Sequence, residues 1–187
     1  MTNSTKKLLL ITGLVLIVAA MRLIPHPFNF TPVVAICLFS VAVINHKYLK
    51  FVIPAIAILY SDVLLEISNG YGFHNGTGVV YLSFAVILIG GYFLLKKVSI
   101  KNVVVTSLLA SFAFFLITNF AFFYPISAVN NPSLGQYTHD FSGIMASYTA
   151  GLPFFRNMLV GDLFYTGVLF GLYSAIQQVP ALRFSKQ

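Results

Sequence analysis

Ionisable side chains are scarce in this sequence: only 8% of the residues are charged, and Asp and Glu together number 4. Asp62 and Glu66 are four residues apart, a spacing that places both carboxylates on one face of a helix. Charged groups inside an apolar chain usually pair with one another or line a cavity. The acids and two isolated arginines are therefore the first candidates for function: Asp62, Glu66, Asp140, Asp162, Arg22 and Arg156.

Histidine and cysteine add few alternatives. No HExxH, CxxC or paired-histidine spacing predicts a metal site or cofactor, and the one cysteine, Cys37, excludes an internal disulfide. His139 and Asp140 stand beside serines, which leaves a serine hydrolase open, but no GxSxG motif supports it. The absence of GxxxxGK[ST] excludes a P-loop ATPase, and we expect no enzyme activity.

The composition then fixes what kind of protein positions these residues. Of the 187 residues 58% are hydrophobic, whereas charged residues fall far below the roughly 25% of soluble domains. The mean hydropathy of +0.90 excludes a soluble globular domain and a disordered chain. We therefore expect one all-α integral membrane domain over residues 1–187, surrounded by the lipid bilayer.

Six apolar stretches predict a bundle of six transmembrane helices. The last stretch is long and contains Gly151, Pro153 and Arg156. Because proline removes a backbone donor, we expect a break at 151–153, with a short outer-face helix at 142–150 before the final span. The predicted spans are residues 8–24, 31–44, 51–67, 79–95, 103–123 and 156–177.

Lysine and arginine positions predict the orientation. All of the 11 basic residues except Arg22 and Arg156 flank the predicted spans on one side, which the positive-inside rule makes cytoplasmic. Both termini are then cytoplasmic. A cleaved signal peptide ending near Ala19-Ala20, which would leave five spans, is the alternative. The net charge of +7 is explained by topology, without nucleic acid as a partner.

Four segments carry a resemblance to a known family. They begin at Arg22 (RLIPHPFNFTPV), Tyr60 (YSD), Val80 (VYLSFA) and Gly151 (GLPFFRNMLVGDLFY). Together they resemble a bacterial family of transport proteins with an uncharacterised domain. That family is similar to the substrate-binding S-components of energy-coupling-factor (ECF) transporters and to solitary cobalamin-uptake proteins of the BtuM type.

The resemblance implies a six-helix S-component fold that captures a small vitamin-like or corrinoid-like molecule at the outer face. An ECF-type ATPase and a coupling membrane protein would be its partners, and the resemblance implies a place in the inner membrane of a bacterium. The resemblance allows a thiol ligand to cobalt from the loop before the fourth span; this loop has no cysteine, so His74 is the alternative ligand there, and no metal site is otherwise expected. The matching residues imply these substrate-binding positions: His26, Asn29, Asp62, Tyr81, Arg156 and Asp162.

Two alternatives stay open from the residues themselves. Asp62 with Arg156 or Arg22 could be a structural ion pair, in which case the chain is a structural or assembly membrane protein. An intramembrane enzyme using His139 and Asp140 is the other. In the transport hypothesis, Asp62, Arg156 and His26 hold the polar edge of the substrate. Its apolar face packs on Phe28, Phe30, Tyr71 and Tyr81.

Overall fold

The computed structural model describes residues 3–178, and in that range it contains six α-helices and no strand. Short 3₁₀ turns follow α1 and α5, and a third lies before α6. The all-α prediction is therefore confirmed for the part of the chain that is described. The helices are α1 Asn3–Ala20, α2 Val33–Val43, α3 Leu49–Asn69, α4 Thr77–Leu94, α5 Ile100–Thr118 and α6 Phe141–Gln178.

The four helices α3 to α6 are long and apolar enough to cross a membrane. Only 28% to 33% of each apolar window is buried inside the protein. The outward faces of these helices therefore carry many large apolar side chains, which suit a lipid environment and not water. The chain is a helical membrane protein.

The second predicted span, residues 31–44, is instead a short helix enclosed by the others. Ten of the 11 residues of α2 are buried, and α2 contacts every other helix of the bundle. A helix that is apolar all round must be covered on every side. At about 1.5 Å per residue α2 is about 16 Å long, which is too short for a layer of about 30 Å.

Six full spans are therefore not confirmed. The first predicted span, residues 8–24, corresponds to α1 and the turn Met21–Leu23, but α1 is not among the four candidate spans. α1 packs against α2 and α3 through Ile11 and Val15. The basic pair Arg183 and Lys186, which supported a cytoplasmic C-terminus, lies outside the described residues.

The predicted break at 151–153 is wrong, because α6 runs unbroken for 38 residues. A Cβ atom at Gly151 would lie 2.3 Å from Asn119 Oδ1, so this glycine allows α5 to approach closely instead of ending a helix. Pro153 removes only its own bond to the carbonyl of Thr149, a loss that spanning helices tolerate. At about 57 Å, α6 is about twice as long as the apolar layer is thick.

Candidate binding site

Four polar side chains from three elements meet inside the bundle, and we call them the charged cluster: Arg22, Ser61, Asp62 and Tyr81. Arg22 lies on the turn after α1, Ser61 and Asp62 on α3, and Tyr81 on α4. Arg22 Nη1 donates to Asp62 Oδ1 at 2.5 Å and to Ser61 Oγ at 2.6 Å. The hydroxyl of Tyr81 donates to Asp62 Oδ2 at 2.6 Å. Both carboxylate oxygens therefore have a donor.

Burial makes this pairing obligatory. The side chain of Asp62 is 6% exposed and that of Arg22 is 17% exposed, so an unpaired charge at either position would cost several kcal/mol. The predicted ion pair is confirmed with Arg22 as the partner. Arg156, the other partner considered, is exposed on α6 and forms no ion pair within residues 3–178.

The loop between α3 and α4 folds back over the charged cluster. Gly70 ends α3 in the left-handed conformation (φ 73°) and turns the chain. Gly72 then packs so closely on α3 that a Cβ atom would lie 2.0 Å from the carbonyl oxygen of Asp62. Glu66 Oε2 accepts the N–H groups of Gly72 and Phe73, each at 3.1 Å. Residues 70–76 thus form a roof that is held by the carboxylate of Glu66.

A cavity of about 50 Å³ lies between this roof and the charged cluster. It has room for a few water molecules and is far smaller than the roughly 300–1,000 Å³ of small-molecule pockets. The Nδ1 atom of His74 accepts the N–H of Gly76 at 3.1 Å, so in the neutral ring Nε2 carries the proton. The lining residues are Arg22, Asp62, Tyr71, Gly72, His74, Thr77, Val80, Tyr81 and Phe84.

The metal prediction gains no geometric support. Within residues 3–178 no group of three or more His, Cys, Asp or Glu side chains could hold a metal ion. Cys37 is fully buried in α2 and does not line the cavity. His74 as a cobalt ligand stays a prediction.

The segment after Arg22 packs against α6 and not around the cavity. Asn157 Nδ2 donates to the carbonyl of Phe28 at 3.1 Å, and the Cα atom of Phe30 lies 3.0 Å from a Cβ built at Gly161. His26 is only partly buried, and its Nδ1 atom lies 2.9 Å from the carbonyl oxygen of Pro27. Asn29 is exposed and adopts a positive φ of 63°. Neither His26 nor Asn29 lines the cavity.

Asp162 belongs to a different polar group, which we call the hydroxyl cluster: Ser107, Ser111, Asp162 and Thr166. Asp162 is 1% exposed, and the hydroxyl of Ser111 donates to its Oδ2 atom at 2.6 Å. One turn further along both helices, Ser107 Oγ and Thr166 Oγ1 are 3.5 Å apart. Asp162 has no basic partner among the residues that the structure describes.

His139 and Asp140 organise the start of α6. Asp140 Oδ1 accepts the N–H of Gly143 at 2.8 Å and the hydroxyls of Thr138 and Ser142. These bonds, that from Gly143 above all, hold the pKa of Asp140 below its usual value. His139 Nε2 lies 2.9 Å from the carbonyl oxygen of Tyr124, and the described residues place no serine against its ring. Burial raises the pKa of Tyr124.

Sequence reasoning selected Asp62 and Tyr81 but missed the serine hydroxyls that join both clusters. Ser61 was overlooked although it precedes Asp62 directly in the chain. Ser107 and Ser111 are four residues apart on an otherwise apolar span, which places both hydroxyls on one helix face. That spacing could have indicated a polar partner on a neighbouring helix.

The fold and the charged cluster define a helical membrane protein with a paired charge beneath a loop roof. Residues 2–182 match the family described as "Family of unknown function (DUF6580)", and the chain belongs to that family. No curated protein and no solved structure matches the chain. The family description names no substrate, so the resemblance to S-components and to BtuM-type proteins stays a prediction.

Proposed function

We propose that this chain is a solute-binding membrane transport protein that captures a small molecule at the charged cluster. One observation carries the proposal: a buried ion pair, with a tyrosine hydroxyl on its carboxylate, lines a cavity beneath a loop roof. An ion pair that served packing alone would need no cavity. Ionisable groups within spanning helices commonly mark a solute pathway.

Capture requires the roof to move. The cavity of about 50 Å³ is closed to a vitamin-sized molecule. The carboxylate of Glu66 and the close packing of Gly72 hold the middle of this loop on α3. Lifting this loop would expose Arg22, Asp62 and Tyr81, and its return would enclose the solute.

Localisation and partners are part of the proposal. Lys47 lies between α2 and α3, with Lys50 in the first turn of α3. Lys96 and Lys97 lie between α4 and α5, with Lys101 in the first turn of α5. Both turns are at the end of the bundle opposite the roof. The positive-inside rule then supports an inner-membrane protein whose roof faces outward and whose N-terminus is cytoplasmic. An ECF-type ATPase and coupling protein would supply the energy for uptake of a vitamin-like, including a corrinoid-like, solute.

Native mass spectrometry of protein purified from its host tests capture. We expect a co-purifying solute on the wild-type chain that is lost in Tyr81→Phe, which removes only the hydroxyl on Asp62. Tyr60→Phe is the matched control, because Tyr60 also loses a tyrosine hydroxyl but is exposed on α3, two residues before Asp62, and is not in the charged cluster. Solute that stays bound in Tyr81→Phe would contradict capture at this site.

A structural or assembly membrane protein is the second candidate function. It is favoured by the mutual satisfaction of Arg22, Asp62 and Tyr81, which leaves the carboxylate fully bonded without a ligand. On this alternative the wild-type protein is free of solute. Its thermal stability would then be unaffected by a panel of vitamins and cobalt corrinoids.

A further inference from the structure

An apolar groove continues from the charged cluster along the bundle. It lies between α3 and α4, which are consecutive in the chain but do not pack extensively against each other among the described helices. Its volume is about 300 Å³. The lining residues are Ala55, Ile58, Leu59, Tyr81, Phe84, Ala85 and Leu88.

The spacing of these residues shows that the groove and the cavity form one path. On α3, Ala55, Ile58 and Leu59 share a face with Asp62, because they lie seven, four and three residues before it. Tyr81 and Phe84 of α4 line both the cavity and the groove. The groove therefore starts at the charged cluster and extends about two helical turns, or about 10 Å, toward Ala55.

The two ends of this path have opposite chemistry. At the roofed end both hydrogen bonds of Arg22 leave from Nη1, so the rest of its guanidinium, including the buried Nε, has no acceptor within residues 3–178. Tyr71 and His74 line this end of the path too. The guanidinium can therefore donate to a further acceptor group. Along the groove the walls are apolar, and the small side chains of Ala55 and Ala85 leave the space open.

We propose that the solute is amphipathic: its carboxylate-like head binds beneath the roof at Arg22, and one compact apolar unit lies in the groove between α3 and α4. This inference rests on the proposed function and names its substrate class. It also resolves the problem of size. The cavity alone is too small for an organic solute, but cavity and groove together reach the range of roughly 300–1,000 Å³ found for ligand pockets.

The size of the groove favours a solute over a membrane phospholipid. A phospholipid brings two long chains, whereas the groove offers room for one unit of about 10 Å beside the charged cluster. A partner helix fits less well for two reasons. Residues 70–76 cover the polar end of the path, and the guanidinium of Arg22 at that end calls for an acceptor group.

Equilibrium binding of octanoate to the full chain in nanodiscs, with empty nanodiscs subtracted, tests the inference. We expect octanoate to bind, and acetate and octylammonium to bind at least about tenfold more weakly, since the first lacks the apolar unit and the second reverses the head charge. Ala85→Phe fills the groove and should raise the Kd of octanoate about tenfold or more. Val105→Phe, on the exposed face of α5, is the control.

A second variant guards against misfolding. Ala55→Phe fills the groove from α3, and both groove variants should keep the thermal midpoint of the control, because Ala55 and Ala85 are exposed toward lipid. Equal octanoate affinity in wild type and in both groove variants would overturn the inference. So would octylammonium binding as tightly as octanoate. A phospholipid that octanoate does not displace, or another membrane protein lost only from the groove variants, would assign the groove to that occupant instead.

The two proposals fail in different ways. A polar solute that depends on Tyr81 but is indifferent to Ala85→Phe would preserve capture at the charged cluster and reject the groove. If neither octanoate nor any co-purified solute binds the wild-type chain, both proposals fall.

Discussion

Two buried aspartates in the same bundle are satisfied in different ways. Asp62 is 4% exposed and receives an arginine and a tyrosine from two other elements. Asp162 is 1% exposed and receives only the hydroxyl of Ser111 within residues 3–178. The charged cluster lines a cavity, whereas Asp162 lines neither that cavity nor the groove.

The two aspartates are similarly buried, but of the two only Asp62 lines the cavity beneath the roof. Both carboxylates are equally withdrawn from solvent, so burial alone does not distinguish a binding residue from a structural one. Asp62 is paired with Arg22 at the wall of a cavity, which is where the proposed solute would bind. Asp162 of α6 instead contacts the hydroxyl of Ser111 and so joins α6 to α5 through a polar contact inside an apolar bundle.

Removing the counter-charge should have the largest effect. Arg22→Ala leaves Asp62 buried without a cation, and we expect a loss of about 3 kcal/mol or more in the free energy of unfolding. Thermal unfolding in a mild detergent measures it. Arg22→Met combined with Asp62→Leu removes both charges and should recover most of the loss. A double variant as unstable as Arg22→Ala would contradict the charge argument.

The roof gives the next largest effect. Gly72→Ala drives a Cβ atom into the backbone of Asp62, at 2.0 Å, and should cost about 2 kcal/mol while exposing the amides of residues 70–76 to hydrogen exchange. Gly161→Ala, beside Asp162, meets Phe30 at 3.0 Å and should cost about half as much.

Gly78→Ala is the control for the roof, because nothing lies within 4 Å of its Cβ position on α4. It should be neutral or stabilise by about 0.5–1 kcal/mol. Unchanged exchange of residues 70–76 in Gly72→Ala would show that the roof is not held by this contact.

Replacing each of the two aspartates by the neutral side chain of asparagine tests the comparison directly. Asp162→Asn keeps an acceptor for Ser111 and disturbs no ion pair, so we expect it to cost less than about 1 kcal/mol. The same change at Asp62 removes the negative charge that faces a largely buried guanidinium and one of two acceptor oxygens, and it should cost two to three times as much, about 2 kcal/mol. Equal losses at both positions would erase the distinction between the charged and the hydroxyl clusters.

The sequence predicted the membrane class, the helices and the ion pair, because these depend on local composition and on a few rare charges. The ion pair of Asp62 was predicted with Arg156 or Arg22 as its partner, since a chain with four acids offers few alternatives. The docking of Asn157 and Gly161 on the segment around Phe30 could not be predicted, since it depends on how far this segment enters the bundle.

The errors share one physical cause: local signals were overridden by packing. Gly151 and Pro153 indicate a break in isolation, but close contact with Asn119 keeps α6 continuous. The apolar run that forms α2 has the composition of a span, and only its contacts on every side show that protein and not lipid surrounds it.

A third aspartate, Asp140, supplies the reference for a carboxylate outside the apolar layer, and its effect should be the smallest. The N–H of Gly143, with Thr138 and Ser142, lowers the pKa of Asp140 in the folded protein. Its contribution to stability is therefore complete above the ordinary Asp value of about 3.9 and is lost as the pH falls through the lowered one. Thermal midpoints of wild type and Asp140→Asn should differ at pH 7 and converge in acid. If the difference in thermal midpoint stays constant down to pH 3, Asp140 stabilises the start of α6 through its hydrogen bonds alone and not through its charge.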